Sequence, residues 1–180
     1  MQILAFLLDS VASFFCTLFL LRFLMQAMRV SFAGQIGDFI IKLTNWAVLP
    51  LRRLIPGIRG FDWASLIAAL LIRLLIQLLL AAILVILAGP VDRQPDAILL
   101  MALWFSLRAL LRSILYIFIG ALLLQAVLSW INPYSPIAGP IRQLTRSLLA
   151  PIQRVIPPIS GIDLSPLVVI LLLQAALMLL

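Results

Sequence analysis

The sequence predicts an all-α membrane protein built from two tandem copies of one unit. Three observations carry this. First, 65% of the 180 residues are hydrophobic and only 11% are charged, whereas soluble domains are about half apolar and about a quarter charged. No soluble fold buries that much apolar surface, so lipid must serve as solvent. Second, the segment from Pro50 to Asp62 returns from Pro151 to Asp163, and internal repetition fixes architecture before any local signal does. Pro50, Arg53, Ile55, Pro56, Ile58, Gly60, Asp62 and Leu66 recur as Pro151, Arg154, Ile156, Pro157, Ile159, Gly161, Asp163 and Leu167. Leucines coincide by chance in apolar helices; Pro, Gly, Arg and Asp at fixed spacing do not. Third, the basic residues gather in the connections that contain this repeat, as they do in the loops of membrane proteins.

A bilayer span needs about 20 predominantly apolar residues. Four segments qualify: residues 3–24, 63–88, 113–131 and 164–180. The first is not read as a signal peptide. It lacks a basic leading region, carries Asp9, and no small-residue cleavage site follows it. Apolar character before the third span reaches back to Ile98 but is interrupted by Arg108 and Arg112. Residues 97–111 therefore read either as an interfacial helix or as the start of one long tilted helix. The units are then residues 1–90, a linker with a possible interfacial helix at 91–112, and residues 113–180.

Orientation follows from Lys and Arg in short loops. The first repeat loop holds Arg29, Lys42, Arg52, Arg53 and Arg59, and the second holds Arg142, Arg146 and Arg154. The middle connection holds Asp92, Arg93 and Asp96. The repeat loops are expected in the cytoplasm, with the middle loop and both termini outside. Two spans per half make the halves insert in the same sense, related by an axis along the membrane normal.

Each repeat loop opens with an amphipathic pattern. Ile36, Phe39, Ile40, Leu43 and Trp46 share one helical face, with Asp38, Lys42 and Asn45 on another. In the second copy Ile137, Ile141, Leu144 and Leu148 form the stripe, opposite Arg142, Gln143, Thr145 and Arg146. Such a helix lies in the membrane interface or packs on its own bundle, and the two are compatible.

The turn Pro-x-x-Arg-x-Ile-Pro-x-Ile-x-Gly-x-Asp follows. Prolines six apart are expected to deny the backbone a helix there. Gly60 and Gly161 permit a tight turn at positive φ. Asp62 and Asp163 stand where the next span begins, suited to accept from free backbone N–H groups and to complement the helix dipole. In the alternative reading the two carboxylates converge near the axis, with Arg53 and Arg154, to bind a cation or a partner.

Charged residues inside spans are expensive and face the bundle interior. Arg73, about eleven residues into its span, is within reach of Asp9, which predicts a structural ion pair; an ion or solute path would need more polar lining. Arg22, near the inner end of the first span, reads as a headgroup anchor. The net charge of +7 is absorbed by such anchoring at span ends, and no basic run interleaved with aromatics suggests nucleic acid. Histidine is absent and Cys16 is the single cysteine. No internal disulfide can form, and the commonest metal ligand and general base are missing. No catalytic residue, metal site or cofactor is expected.

With its two hydrophobic units, each with an interfacial helix and the Pro-x-x-Arg-x-Ile-Pro-x-x-x-Gly-x-Asp turn, the chain resembles the YggT family of small bacterial membrane proteins along nearly its whole length. The second copy, Gly161 to Pro166, is the closer match; the first has Ala64 and Ser65 where the second has Ser165 and Pro166. The resemblance implies a multi-pass protein of the bacterial inner membrane. It also implies roles in protection from osmotic shock, or, by analogy with relatives near cell-division genes and in plastid cytochrome b6f assembly, in building membrane complexes. It offers no evident haem ligand pair. The expected function is non-enzymatic assembly or organisation of envelope complexes, with osmotic-stress protection through cation uptake as the alternative. Expected partners are the bilayer and other membrane proteins or further copies of the chain.

Overall fold

The computed structural model describes residues 2–57, 60–88, 95–132, 134–155 and 163–180. Among these, six helices follow in order: α1 (Gln2–Ala27), α2 (Gln35–Leu54), α3 (Trp63–Ala88), α4 (Pro95–Ile131), α5 (Ala138–Val155) and α6 (Ser165–Leu179). The chain is an all-α membrane protein. Three helices, α1, α3 and α4, are long and apolar enough to cross a bilayer. The fourth expected span, α6, is apolar but 15 residues long, about 22 Å at 1.5 Å per residue, short of a hydrocarbon core of about 30 Å. Two amphipathic helices, α2 and α5, separate the apolar ones.

Residues 97–111 belong to α4, which runs 37 residues without a break. It is therefore the long helix and not a separate interfacial segment. At about 55 Å it exceeds the hydrocarbon core. No proline or glycine interrupts it until Gly120, and buried Ala102, Ser106 and Leu110 keep one face packed along its first half.

Small residues let backbones approach closely in a membrane. Ala64, Ala68 and Ala69 of α3 are buried against Cys16, Phe19 and Leu20 of α1, with Val48 of α2 and Leu110 of α4 completing that cluster. A second cluster draws Leu18, Leu24 and Met25 of α1, Ile40 of α2, Phe118 of α4 and Leu144 of α5 together, so the two halves share a core. A smaller one joins Leu122, Leu149 and Val169 of α4, α5 and α6. The first turns of α1 are exposed nearly all round, with Ile3, Leu4, Phe6, Leu7 and Val11 among the exposed residues.

The amphipathic helices use their stripes on both sides. Ile40 is buried and Leu43 packs against the core, while Ile36, Phe39 and Trp46 of the same stripe are exposed. On α5, Leu144 is buried and Leu148 packs against two clusters. Thr145, placed by the sequence on the polar face, is fully buried instead. Its hydroxyl satisfies itself on the Ile141 carbonyl at 3.0 Å, which lets a polar residue face the core.

The prolines do not end the helices. Pro50 lies inside α2 and Pro151 inside α5. A proline late in a helix removes one N–H and crowds the carbonyl a turn back, but residues on either side are anchored. Val48 and Leu51 pack on the core around exposed Pro50, and Leu149 and Ile152 do so around exposed Pro151. The break comes later, where Ile55 turns extended (φ −128°, ψ 90°) ahead of Pro56, as a residue before proline must.

Candidate functional site

The turn between α2 and α3 converges on Asp62, which is 1% exposed. Gly60, at φ +84°, makes the reversal that presents it, a conformation that L side chains rarely adopt. Arg52, in the last turn of α2, donates Nη2 to Oδ2 at 2.6 Å and Nε to Oδ1 at 3.2 Å. This two-pronged geometry is the strong form of the guanidinium–carboxylate bond. Ser65 donates its hydroxyl to Oδ2 at 2.6 Å. Arg22 of α1 places Nε 3.5 Å from the same oxygen.

Arg22 is itself buried, and its Nη1 donates to Thr44 at 2.6 Å and to Asn45 at 3.0 Å. Gln26 bridges the edge, accepting from Arg52 at 3.4 Å and donating to the Gly60 carbonyl at 3.3 Å. Phe23, Phe61 and Trp63 pack ring against ring beside the knot at 6.2 to 6.5 Å. Burial pushes the Asp62 carboxyl up, but the hydrogen bonds from Arg52 and Ser65 and the charges of Arg52 and Arg22 outweigh it. The carboxyl is held below the usual carboxylate range.

The second copy repeats the sequence pattern, and its described residues carry different chemistry. Asp163 is exposed; its Oδ1 accepts the Ser165 N–H at 2.9 Å, and Gln153 donates to Oδ2 at 2.8 Å. Partial burial raises the Asp163 carboxyl, and the bonds from Ser165 and Gln153 bring it below its usual value. Gln153 stands where the repeat register has Arg52. The partner of Thr145 is the Gln125 side chain, where Thr44 has Arg22. The carboxylate that meets arginines in one half meets only neutral donors in the other.

Of the residues singled out in sequence, Asp62 and Asp163 stay apart, each with its own partners, and do not form a shared site. Asp163, one residue before the N-cap Leu164, accepts the N–H of Ser165, the first residue of α6; the Asp62 carboxylate instead pairs with arginines. Arg53 and Arg154, the repeated arginines, are exposed and make no bond among the described residues; the geometry selects Arg52, one residue earlier on another helix face. Arg22 is no headgroup anchor but a buried partner of Asp62, because it lies level with the start of α3. Pro56 is exposed after α2. Pro157 and Gly161, with Ile58, Ile156 and Ile159 of the repeat and Arg59, Asp92 and Arg93 of the loops, lie outside the described residues. Sequence reasoning missed Arg52 because its register partner is Gln153, so a search for repetition passes over it. A buried-charge criterion applied to Arg22, as it was to Arg73, is the signal that finds the knot.

The second charged tie is the expected one: Arg73 Nη1 donates to Asp9 Oδ1 at 3.0 Å. From Arg22 to Asp9 is about 20 Å along α1, and from Asp62 to Arg73 about 16 Å along α3, at 1.5 Å per residue. Two ties at matching separations hold α1 and α3 antiparallel. Arg73 is 8% exposed and borders a cavity of about 400 Å³ with Ser13, Thr17, Arg112, Ser113 and Tyr116. A larger, apolar cavity of about 630 Å³ lies between the halves, lined by Met25, Ile36, Ala121 and Ile141 among others. Among the described residues, no group of three or more His, Cys, Asp or Glu is placed to hold a metal ion.

The CCB3/YggT family model matches residues 1–83 and 104–180. Relatives span almost the whole chain. A protein of Pseudomonas aeruginosa is 36% identical over 171 residues, 94% of this chain and 83% of the relative. One of Vibrio alginolyticus is 34% identical over 177 residues, 98% and 92% of the two chains. The YggT protein of Escherichia coli K12 is 33% identical over 175 residues, 96% and 86%. All three are described as uncharacterised. No solved structure matches. The chain belongs to the CCB3/YggT family.

Proposed function

We propose that this member of the CCB3/YggT family is a non-enzymatic protein of the bacterial inner membrane that assembles or organises envelope complexes, using the α2 and α5 surfaces to dock a partner membrane protein. One observation supports the reading above others. The knot at Asp62 fixes α2 rigidly to α1 and α3, yet α2 leaves Phe39, Trp46 and Leu49 exposed beside exposed Lys42 and Arg53. On α5, Arg142, Arg146 and Arg154 are likewise exposed. A rigid base carrying aromatic and basic side chains is suited to recognition, where Trp and Arg contribute most. The reading gives the chain no chemistry of its own.

The test is purification of the tagged protein from its native membrane in mild detergent, with mass spectrometry of what remains bound. A near-stoichiometric partner, lost on Arg53→Ala together with Arg154→Ala, supports docking. Neither residue is bonded in the fold, so both variants keep it. A homo-oligomer with no partner sinks the proposal.

Osmotic-stress protection through ion uptake is a second reading, favoured by the polar cavity at Arg73. Its charge opposes cation uptake in particular, since Arg73 and Arg112 both line it and only Arg73 is paired with a carboxylate, Asp9. Loss of osmotic protection in Arg73→Leu with partner retention intact favours this reading over docking.

A further inference from the structure

We propose that the cavity among α1, α3 and α4 is an anion-binding site, taking one small monovalent anion such as a halide, a carboxylate or a phosphate monoanion. The argument starts from charge. Arg73 and Arg112 border the cavity. Asp9 neutralises one of them through the 3.0 Å bond to Arg73, which leaves one positive charge over. Arg112 has no hydrogen bond or ion pair among the described residues, although it sits in the middle of α4. An uncompensated guanidinium within the span of a membrane helix is costly, and one bound anion removes that cost.

Donors and acceptors point the same way. The serine and threonine hydroxyl protons of the cavity are already committed. Thr17 donates to the Ser13 carbonyl at 2.8 Å, Ser113 to the Ala109 carbonyl at 2.8 Å, and Ser13 to the Asp9 carboxylate at 3.4 Å. The uncommitted groups are donors: Arg112, the Tyr116 phenol, and Nε of Arg73, which is buried without a partner. Nε of Arg73 is a buried N–H left unmade, which costs its full desolvation; Arg112 and Tyr116 are exposed at the cavity's edge, and an anion's lone pairs can accept from all three. A cation would meet two guanidinium groups and one carboxylate already engaged. At about 400 Å³ the space holds a small anion with some of its water. The site is independent of the docking surfaces of α2 and α5.

The full chain in detergent, stripped of lipid and equilibrated in the potassium salt of a bulky sulfonate buffer, is titrated with chloride, acetate and phosphate at constant ionic strength, with Tm read from tryptophan fluorescence. A saturable rise in Tm is expected for at least one of them. In Arg112→Gln the midpoint should rise tenfold or more, with Tm before titration at or above that of the unmodified chain. Tyr116→Phe should raise it about threefold and provides the same check if Arg112→Gln folds poorly. A response that appears only when phosphatidylglycerol is added back assigns the anion to a lipid phosphate; one without lipid assigns it to a free ion. No saturable response in either arm, or curves unchanged in both variants, overturns the proposal.

Discussion

The turn after α2 and the segment after α5 descend from one pattern, yet they hold their helices by different forces. In the first half a carboxylate 1% exposed lies among Arg22, Arg52 and Ser65. In the second an exposed carboxylate holds a backbone N–H and the Gln153 amide. The threonine layer shows the same contrast, with Arg22 on Thr44 and Gln125 on Thr145. The prolines, the glycine, the exposed arginine and the aspartate are retained in both copies, whereas the side chain that faces the aspartate changes from Arg52 to Gln153. Ion pairing across α1, α2 and α3 thus gives the first half a rigid base, while α5 and α6 rest on hydrogen bonds without a counter-charge and a smaller apolar cluster.

Breaking each half at its aspartate gives the largest expected difference. Asp62→Ala strands Arg22 and Arg52 without their counter-charge, and removing one partner of a buried pair costs about 3–5 kcal/mol. Asp163→Asn keeps an oxygen for the Ser165 N–H and should cost less than about 1 kcal/mol. Thermal unfolding of the two variants in one detergent measures the gap; equal losses would remove the distinction between the halves.

A second contrast lies at the start of the amphipathic helices. A Cβ on Gly37 would stand 1.9 Å from the Phe32 carbonyl oxygen, so Gly37→Ala forces the α1–α2 connection to move, at about 1–3 kcal/mol. The register partner of Gly37 is already Ala138. Next to it, Gly139→Ala meets nothing within 4 Å and should be neutral, or stabilising by up to about 1 kcal/mol through helix propensity. The two Tm shifts should differ in sign or approach it.

Acid sharpens the comparison. The Asp62 carboxyl is lower in the folded chain than in the unfolded one, near 3.9. Its contribution is fully present above that unfolded value and is lost as pH falls through the lower folded value. Asp163 shifts in the same direction, from weaker and more exposed partners. Tm measured from pH 6 down to pH 3 should fall in the unmodified chain and flatten more in Asp62→Asn than in Asp163→Asn.

Exchanging chemistry between the copies is the smallest effect. Gln153→Arg sets a guanidinium opposite exposed Asp163 and should add about 0.2–1 kcal/mol, fading with salt. A gain as large as the loss in Asp62→Ala would mean that the second turn is already as well shielded as the first.

Much of this was legible in sequence because it is local or periodic. The apolar helices, the amphipathic pair, the positive φ at Gly60 and the Asp9–Arg73 pair each follow from composition, spacing or span depth. The prolines misled because their cost is set by neighbours: Val48, Leu51 and Arg52 hold α2 through Pro50. The knot stayed hidden because Arg22 and Asp62 are forty residues apart and because the repeat, the strongest signal in the chain, points to Arg53.

By itself, then, the sequence determined that this is a duplicated helical membrane protein, since apolar content dictates the solvent and Pro, Gly and Asp spacing dictates the unit. Only the tertiary structure decided which arginines are buried. That depends on the level at which α1 meets the start of α3, and on the face that α2 presents after passing its proline, both set by packing among helices distant in the chain.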